Sequence, residues 1–441
     1  MALGPGLESV TERGDGHPAL AGDQASHGLP NRHATGETQI RPAKQKAVLI
    51  GGISMLRSLA GMDVDNVVVL RSRDDLTRYS RYCREWHELP PWDLEHEDEW
   101  VTGLIRIAER EPEPPVLFYG DDRTLSAISK HRNKLLEYFR FNMPSEEVVA
   151  ACVNKTEFDA FARAAGIPVP TGLQSSPELG CQQIEMTIGF PCILKPVTHI
   201  GWFRSDAVQS LGGMPRKVLL ANDAAECALA LENMRRFSPD FVVQTFIPGG
   251  EDEIYSFHTY LPRSGTRTAA YIGKKIRTYP SVGGESTYIE LVKNEELLRL
   301  GFEVTDATKV TGPVKIDFKR DPRTNKFHVL EINLRFNLWN HLGTRSGVNL
   351  PYLAYLDNCG MPYVAPKDYR AGLCWLDLEE DLRAFTYDYY PRGLLSISAW
   401  LRSFLRPKIY AVFAWNDPLP FIVGVGRLIG RMARKAFARF R

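Results

Sequence analysis

The sequence has no closely spaced pair of cysteines. Its seven cysteines are scattered between positions 83 and 374, and no two of them form a C-x-x-C motif. Zinc sites and small disulfide-bonded domains are built on such spacings, so neither is expected here. Free thiols are typical of a reducing compartment, and we therefore expect a cytoplasmic protein.

An excess of charge of one sign is also missing. The chain carries 54 Lys and Arg residues against 53 Asp and Glu residues, which gives a formal net charge of +1. Nucleic-acid-binding domains normally have a strong basic excess, so this balance argues against a nucleic-acid partner. With 441 residues, 44% of them hydrophobic, the composition is typical of a globular protein of two or three domains.

Long hydrophobic runs are absent as well. The first residues, MALGPGLESVTERGDG, lack the basic stretch and apolar run of a signal peptide. The most apolar late segment, YAVFAWNDPLPFIVGVG, is interrupted by Asn416, Asp417, Pro418 and Pro420. It therefore falls short of the roughly 20 apolar residues that cross a bilayer, and we expect no transmembrane helix.

The first part of the chain divides into a leader and a small α/β unit. Residues 1–45 are rich in Gly, Pro, Ser, Thr and His without apolar periodicity, which predicts a disordered leader that can be removed without loss of activity. Residues 46–150 contain the apolar runs KAVLIGG, DNVVVL and PPVLFYGDD, typical of parallel strands. The turn at Gly51-Gly52 lacks the third glycine of a dinucleotide-binding motif and is interpreted as a strand-to-helix turn.

Residues 151–360 have the pattern of an antiparallel α+β domain. A helix is predicted in VNKTEFDAFARAAG, with Asn154 as its cap, Glu157 completing a capping box and Gly166 at its end. Strands are predicted in GFPCILKPV, DFVVQTFIPGG, EIYSFHTYLP, TAAYIGKKIRTYP, GPVKIDFKRD and KFHVLEINLRF. Residues 361–441 are expected to form a helical and irregular C-terminal region.

The chain ends in the basic segment VGRLIGRMARKAFARFR. It predicts an amphipathic helix, for which two interpretations stay open. The helix could make weak contact with a membrane surface, or its apolar stripe could pack on the protein while its basic face is solvated. Runs of charge are usually solvated faces, which favours the second interpretation.

The segment GPVKIDFKRDPRTNKFHVLEINLRFN combines carboxylates with a hairpin pattern. Strand alternation puts Lys315, Asp317 and Lys319 on one face, and it groups Val329, Glu331 and Asn333 on the returning strand. A turn centred near Thr324 would place Asp317 opposite Glu331. Two carboxylates and an amide oxygen form the kind of site that Mg²⁺ prefers. The alternative is an ordinary hairpin whose exposed carboxylates are balanced by neighbouring lysines.

Two lysines occupy positions that an anion would stabilise. Lys195 lies within the apolar strand PCILKPV, where a buried ammonium is costly without a counter-ion. Lys155 is at the start of the predicted helix, where a phosphate is favoured and a cation alone is not. A strand-end lysine that reaches solvent and an exposed first-turn lysine are the ordinary alternatives.

Taken in order, the segments NKTEF, GFPCILKP, VVQTFIPGGEDE, KKIRTYP, VKIDF and LEINLRF resemble the ATP-grasp superfamily, in particular its carboxylate-amine ligases of the D-aspartate-ligase-like type. The resemblance covers residues 46–350 and, through WNDPLP, extends towards the C-terminal region. It implies a Rossmann-like pre-ATP-grasp domain at 46–150. A two-lobed ATP-grasp domain at 151–360 follows and closes on ATP.

The resemblance also implies roles for individual residues. Lys155 and Lys195 would hold the ATP phosphates, and Glu251 or, preferably, Glu253 would bind the ribose. The strand that reads adenine would comprise Gln244, Thr245, Phe246 and Ile247. The ligands of Mg²⁺, or alternatively of Mn²⁺, would be Asp317, Glu331 and Asn333. Cations at the reacting groups would be Arg277, Lys275 and Arg335.

The activity implied is that of an ATP-dependent ligase. It would activate a small-molecule carboxylate as an acyl phosphate and join it to an amine, releasing ADP and phosphate; a homodimer is compatible with the resemblance. Two other functions stay open. One is an ATP-grasp phosphotransferase or carboxylase-like enzyme without an amine acceptor, and the other is a non-catalytic nucleotide-binding protein.

Two loops are candidates for covering the reacting groups. The segment VTHIGWFRSDAVQSLGGMPRK is bulkier than the glycine-rich flap of the family, and only Gly212-Gly213 resembles that flap. The second loop, PSVGGEST, could close over the substrate or be a simple hairpin turn. Among the histidines, His341 ranks first as a general base because it follows Asn333 and Arg335 closely.

Overall fold

Short apolar runs near the start of the described chain form a parallel sheet. The computed structural model describes residues 45–89, 96–197 and 218–439. The strands pair in the order β3-β2-β1-β4 and comprise β1 (Ala47–Ile50), β2 (Asn66–Leu70), β3 (Glu85–Glu88) and β4 (Val116–Tyr119). The accompanying helices are α1 (Ile53–Ala60), α2 (Glu97–Ala108), α3 (Asp122–Lys130) and α4 (Arg132–Leu135), with a 3₁₀ turn at Leu76–Tyr79.

Three of these strands confirm the sequence prediction. β1, β2 and β4 are buried along their whole length, as expected of parallel strands that are covered on both faces. β3, with the sequence EWHE, was not predicted, because its alternating charged residues give no apolar run. The turn at Gly51-Gly52 connects β1 to α1, as its interpretation as a strand-to-helix turn required.

A smaller antiparallel sheet follows. Its strands pair in the order β5-β8-β6-β7 and comprise β5 (Gly172–Gln174), β6 (Cys192–Pro196), β7 (Leu219–Ala221) and β8 (Phe241–Thr245). The helices of this part are α5 (Glu146–Val153), α6 (Lys155–Ala164), α7 (Cys181–Thr187) and α8 (Ala224–Phe237). A separate core of Leu194, Val243, Leu231 and Met234 holds the sheet against α8.

The start and end of α6 confirm the predicted helix signals. The Asn154 side chain accepts a hydrogen bond from the backbone N–H of Thr156, and its amide donates to the Glu157 carboxylate at 2.7 Å. Glu157 therefore bonds the cap side chain instead of the cap backbone. Gly166 adopts a φ of 71° just beyond the helix, a conformation that glycine reaches without steric cost.

The largest sheet collects the remaining strands in the order β13-β12-β9-β10-β11-β14-β15. They are β9 (Ile254–Leu261), β10 (Ala270–Tyr279), β11 (Glu285–Val292), β12 (Gly312–Arg320), β13 (Phe327–Asn333), β14 (Cys374–Leu376) and β15 (Lys408–Tyr410). Neighbouring strands are antiparallel, except that β14 and β15 are parallel. A 3₁₀ turn, Glu251–Glu253, leads into β9, and three helices belong to this part: α9 (Glu295–Thr308), α10 (Asn340–Ser346) and α11 (Leu350–Asn358).

The C-terminal region is partly helical, as expected, but it also extends the large sheet. Its helices are α12 (Leu378–Ala384), α13 (Ile397–Ser403) and α14 (Leu419–Arg439), with a π-helical turn at Phe385–Tyr389. β14 and β15 lie beyond residue 360, so the sheet crosses the boundary proposed there. The boundaries at 150 and 360 stay predictions. The leader up to residue 44 and the Gly212-Gly213 segment lie outside the described residues.

Candidate functional site

The β12–β13 hairpin brings the predicted carboxylates together. Asp317 pairs directly with Glu331, and Lys315 pairs with Asn333, which confirms the expected register. The pairing then shifts so that Phe318 faces Val329. The extra residue turns Val329 to the core face, and it is fully buried. The expectation that Val329 shares a face with Glu331 was therefore wrong.

Asp317 is the most strongly held acid of this site. Its carboxylate accepts hydrogen bonds from the Ser256 hydroxyl and from Lys315 Nζ at 2.9 Å, and Lys275 Nζ lies 3.4 Å away. Burial alone would raise the pKa of this carboxyl, but Lys315 and Lys275, with the Ser256 hydroxyl, hold it far below its ordinary value. The Asp317 carboxyl therefore stays ionised at neutral pH.

Glu331 and Asn333 continue this polar surface towards the parallel sheet. The Asn333 amide donates to Glu331 Oε1 at 3.0 Å, and Asn333 Oδ1 accepts from Arg335 Nη2 at 3.1 Å. Arg335 in turn donates to both oxygens of Asp122, at the start of α3, at 2.6 and 3.1 Å. Arg335 thus lies beside the predicted metal ligands, and its role at the reacting groups stays a prediction.

Lys195 and Lys155 reach the same space from the smaller sheet. Lys195 lies on β6, and burial lowers the pKa of its ammonium to about 8, although Glu331 of the large sheet counteracts the shift. Lys155 Nζ donates to the carbonyl of Pro196, at the end of β6, at 2.7 Å. Of the two lysines that the resemblance assigned to the phosphates, Lys195 therefore lies near the carboxylate hairpin, and Lys155 contacts the end of the same strand.

Lys319 and Glu251 close another side of the site. Lys319 Nζ lies 4.9 Å from the centre of the Phe246 ring, and burial lowers its pKa despite Glu251 and Glu253. Glu251 accepts from the backbone N–H of Gly283 at 3.3 Å, while its Oε2 is buried without a hydrogen-bond partner among the described residues. Burial raises the pKa of Glu251, which Lys275 and Lys319 only partly offset.

Glu253, the residue preferred for the ribose, has different contacts. Arg320 donates to its two oxygens at 2.8 and 3.1 Å, and this hydrogen bonding lowers the pKa of the Glu253 carboxyl. A two-point ion pair occupies both oxygens, whereas Glu251 keeps one oxygen uncommitted. The choice between the two carboxylates stays a prediction, and their contacts now favour Glu251.

The segment assigned to adenine lies at the end of β8. The backbone N–H of Thr245 donates to Thr171, and that of Phe246 donates to Pro191. Ile247 is buried, and so is Gln244, whose Oε1 has no hydrogen-bond partner within the described residues. A buried, unbonded amide oxygen needs a donor, and the amino group of a purine would supply one.

Arg277 faces away from this site. Lys275 pairs with Ile289 and Arg277 with the adjacent Tyr288, so the extra residue Ile276 reverses the strand alternation between them. Arg277 Nε and Nη2 instead donate to the two oxygens of Asp381 at 2.7 and 2.8 Å. The expected contact of Arg277 with a reacting phosphoryl group is not supported by these contacts, while Lys275 Nζ lies 3.4 Å from the Asp317 carboxylate and its role stays a prediction.

Sequence reasoning missed several residues of the site. It treated Lys315 and Lys319 only as charges that balance a hairpin, and it did not single out Ser256. The signal for both lysines was their period-two spacing with Asp317. The loop PSVGGEST connects β10 to β11, and its Gly283 contacts Glu251.

His341 is a neutral imidazole at pH 7, but its lowered pKa makes it a weak base. Burial and the nearby Arg57 and Arg345 lower its pKa to about 4. Its Nδ1 has no hydrogen-bond partner in the part of the chain that the structure describes. No contact of its side chain with Asn333 or Arg335 supports the role of general base, which stays a prediction.

Charged side chains of both signs interact in the cleft between the two antiparallel sheets. They include the lysines Lys195, Lys275, Lys315 and Lys319 and the carboxylates Glu251, Asp252, Glu253, Asp317 and Glu331. No cluster of three His, Cys, Asp or Glu side chains suited to a metal occurs in the described ranges. The donor set is instead two carboxylates and the Asn333 amide, all oxygen ligands that suit Mg²⁺.

No protein-family model matches the chain. The sequence is 23% identical to the D-aspartate ligase of Enterococcus faecium over 283 residues, which cover 62% of this chain and 66% of that protein. It is also 30% identical, over 122 residues, to the uncharacterized protein y4rH of Sinorhizobium fredii, covering 26% of this chain and 23% of that protein. The chain thus spans somewhat less than two thirds of the length of that ligase.

Solved structures show the same fold at low sequence identity. The N5-carboxyaminoimidazole synthetase of Staphylococcus aureus, complexed with ADP, superposes with a TM-score of 0.57 at 13% identity, covering 73% of this chain and 79% of that one. The biotin carboxylase of Campylobacter jejuni gives 0.56 at 15% identity, with 75% and 74% covered. The L-amino acid ligase of Bacillus licheniformis gives 0.52 at 15% identity, with 73% and 75% covered. The chain has the ATP-grasp fold and resembles the carboxylate-amine ligases of that superfamily.

Proposed function

We propose that this protein is an ATP-dependent ligase that joins a small-molecule carboxylate to an amine. The observation that carries the proposal is that buried Lys195 lies near the Asp317–Glu331–Asn333 hairpin in a cleft where Gln244 Oε1 and Glu251 Oε2 are buried without hydrogen-bond partners among the described residues. A buried ammonium and unsatisfied polar atoms are costly unless a ligand binds, and a nucleoside triphosphate supplies both negative charge and hydrogen-bond donors. Its similarity to a D-aspartate ligase supports the amine as acceptor.

In this proposal, different residues bind the base, the ribose and the phosphates of the nucleotide. Gln244 Oε1 accepts from the amino group of adenine, and the segment from Thr245 to Ile247 lines the base. Glu251 or Glu253 accepts from the ribose hydroxyls. Lys155 and Lys195 hold the phosphates from the side of the smaller sheet.

Asp317, Glu331 and Asn333 would hold Mg²⁺ on the opposite wall of the cleft. When bound, the ion, or Mn²⁺ in its place, would supply positive charge that offsets the negative charge of the phosphates. Asp317 keeps its negative charge because Lys315 and Lys275 stand beside it. Glu331 is exposed, with one oxygen bonded to Asn333, so it can turn an oxygen towards an ion.

The reaction would proceed in two displacements. A carboxylate oxygen attacks the γ-phosphorus, the bond to the bridging oxygen breaks, and ADP leaves. The amine nitrogen then attacks the acyl carbon, loses a proton and expels phosphate. Lys195, Lys275 and Arg335 are the cations we assign to stabilising charge in these steps, which need positioning more than a protein nucleophile.

The test is release of ADP and phosphate from Mg-ATP across amino acids and other small carboxylates, with and without added amines. Release that needs both an acid and an amine, with a product whose mass is their sum less water, is the expected result. Release with an acid alone would indicate a phosphotransferase or carboxylase-like enzyme. Nucleotide binding without turnover on any pair would favour a non-catalytic protein.

Two matched variants test whether the activity depends on the carboxylates of the cleft. Glu331→Gln removes one carboxylate charge with little change in shape and should abolish turnover. Lys326→Met changes an exposed lysine in the turn of the same hairpin and should leave turnover intact. Normal turnover by Glu331→Gln would refute the metal assignment.

The remaining properties follow from this proposal. The substrates are small molecules, and no nucleic acid is involved. All seven cysteines are free thiols, which fits a protein of the cytoplasm. None of the helices in the described ranges is long and apolar enough to cross a membrane.

A further inference from the structure

The chain that follows β13 lies against the parallel sheet with its helices α1 to α4, here called the parallel unit. The backbone N–H of Phe336 donates to the carbonyl of Tyr119, at the end of β4, at 3.2 Å. The Phe336 ring packs on the rings of Phe118 and Tyr119, with centroid distances of 5.2 and 6.5 Å. Leu334 and Phe336 are both buried. The backbone of Arg335, between them, is therefore fixed on both sides.

Asp122 of the parallel unit holds the guanidinium group of Arg335. Arg335 Nε and Nη2 donate to the two carboxylate oxygens at 2.6 and 3.1 Å, a two-point ion pair that fixes direction as well as distance. Asp122 is the first residue of α3, which Asp121 caps, and a carboxylate in the first turn of a helix is stabilised by the helix dipole. Both ends of the Arg335 side chain are thus anchored.

The same guanidinium group reaches the predicted metal ligands. Arg335 Nη2 also donates to Asn333 Oδ1 at 3.1 Å, and no hydrogen bond from its Nη1 is found among the described residues. The exposed fraction is 20% for the Arg335 side chain and 49% for that of Asp122. Ion pairs that are this accessible to water contribute little to stability. The main effect of this pair is therefore to orient Arg335 beside Asn333, with Nη1 left for a ligand.

Contact with the parallel unit is not equally close everywhere. Helix α14 touches it through Arg427, which donates to the Tyr79 hydroxyl at 3.0 Å. Leu419, Ile422 and Ile429 of that helix nevertheless remain 49%, 59% and 61% exposed. The expectation that the apolar stripe of the C-terminal helix packs on the protein was therefore wrong for these three positions. The close contact around Arg335 is a particular feature of the segment after β13.

We propose that Asp122 is a positioning residue, which holds Arg335 in the orientation that stabilises charge on the reacting groups. This inference rests on the proposed function, in which Arg335 is one of the cations at those groups. A catalytic group that is misplaced by about 1 Å can cost roughly 100-fold in rate. The parallel unit would thus contribute to the reaction through α3, because Asp122 acts through Arg335.

The test compares ATP turnover by Asp122→Ala, Arg335→Gln and the double variant. Asp122→Ala should lower kcat by roughly 10- to 100-fold with little change in the KM for ATP, since the groups assigned to the nucleotide are untouched. Asp122→Glu keeps the carboxylate and should recover part of the loss. If Asp122 acts only through Arg335, the double variant should be no slower than Arg335→Gln alone. The midpoint of urea unfolding should change little in each variant.

The matched control is Glu88→Gln, which removes the exposed ion pair with Arg73 on the same parallel unit and should leave turnover unchanged. A normal kcat for Asp122→Ala, beside a slow Arg335→Gln, would overturn this inference and leave the proposed function standing. Additive losses in the double variant, or a loss of turnover that follows a loss of stability, would also overturn it. Normal turnover by Arg335→Gln would contradict the role proposed for Arg335 in the reaction, and this inference with it.

Discussion

The cleft between the antiparallel sheets and the junction with the C-terminal region both bury charged side chains, but they balance them differently. At the junction, Asp381 is fully buried and accepts from Arg277, from the Thr287 hydroxyl at 2.9 Å and from the Trp400 indole N–H at 2.9 Å. Asp417 has a similar set of donors. Each of these acids has an arginine of its own and a full set of hydrogen bonds.

The cleft differs because some of its buried polar groups have no hydrogen-bond partner among the described residues. Gln244 Oε1 and Glu251 Oε2 are buried without hydrogen bonds among the described residues, and the pKa of Lys195 is lowered by burial. Most buried polar groups in stable interiors are hydrogen-bonded, so unsatisfied ones beside a charged cleft are candidates for contacts with a ligand. Under the proposed function, the saturated charges hold the fold together and the unsatisfied groups bind the nucleotide.

The largest effect should come from removing a charge of the cleft. Lys195→Met should lower ATP turnover by roughly 10²–10³-fold, because a preorganised cation would no longer meet the phosphates. The midpoint of thermal unfolding should stay the same or rise, since burial already disfavours this ammonium. Steady-state kinetics and thermal melts of the two proteins check both statements. Normal ATP turnover by Lys195→Met would contradict the assignment of the charges of the cleft to nucleotide binding.

Removing a charge at the junction should lower the stability of the fold instead of the turnover of ATP. Asp381→Asn leaves the buried guanidinium of Arg277 without a counter-charge, which should cost about 3–5 kcal/mol in the free energy of unfolding. The control Glu379→Gln removes an exposed partner of Arg383 on the same helix and should cost no more than about 1 kcal/mol. Urea denaturation measures both. A loss of turnover in Asp381→Asn without loss of stability would assign Arg277 to the reaction after all.

The sequence predicted those parts of the fold and site that depend on local pattern. The apolar runs of β1, β2 and β4, the cap at Asn154 and the opposition of Asp317 and Glu331 all follow from spacing within one element or one hairpin. Such features need no knowledge of distant residues, so alternation and capping rules suffice.

What the sequence could not predict depends on single extra residues and on distant partners. Because Ile276 is an extra residue in β10, the Arg277 side chain lies on the opposite face of the strand, where it forms an ion pair with Asp381. The short strands β14 and β15 are stabilised by pairing with β11 and with each other, and their three-residue segments carry no pattern of their own. Bulges and pairings of this kind are decided by tertiary contacts.

The loop between β10 and β11 links the cleft to the junction with the C-terminal region. Asp388 accepts from the backbone N–H of Ser281 at 2.6 Å, and Gly283 in the same loop donates to Glu251. Asp388→Ala removes the acceptor of the Ser281 N–H, so it should loosen the loop and raise the KM for ATP about fivefold, the effect of losing one hydrogen bond worth ~1 kcal/mol, with little change in kcat. Arg402→Gln, at an exposed position on α13, is the control. A fall in kcat at unchanged KM would contradict this role for the loop.

The smallest effect we expect is a dependence of nucleotide binding on pH. Burial lowers the pKa of Lys195 to about 8, so its ammonium is mostly charged near neutrality and loses its proton as the pH rises through that value. If only the charged form of Lys195 binds the phosphates, the affinity for ADP at about pH 8.5 should be about fourfold lower than the affinity of the fully protonated enzyme at lower pH. At that pH, ADP binding should also be accompanied by proton uptake. Calorimetry in buffers of different ionisation enthalpy measures both quantities. Lys195→Met should bind ADP more weakly and lose this pH dependence, whereas an unchanged pH profile in that variant would assign the titration to another group of the cleft.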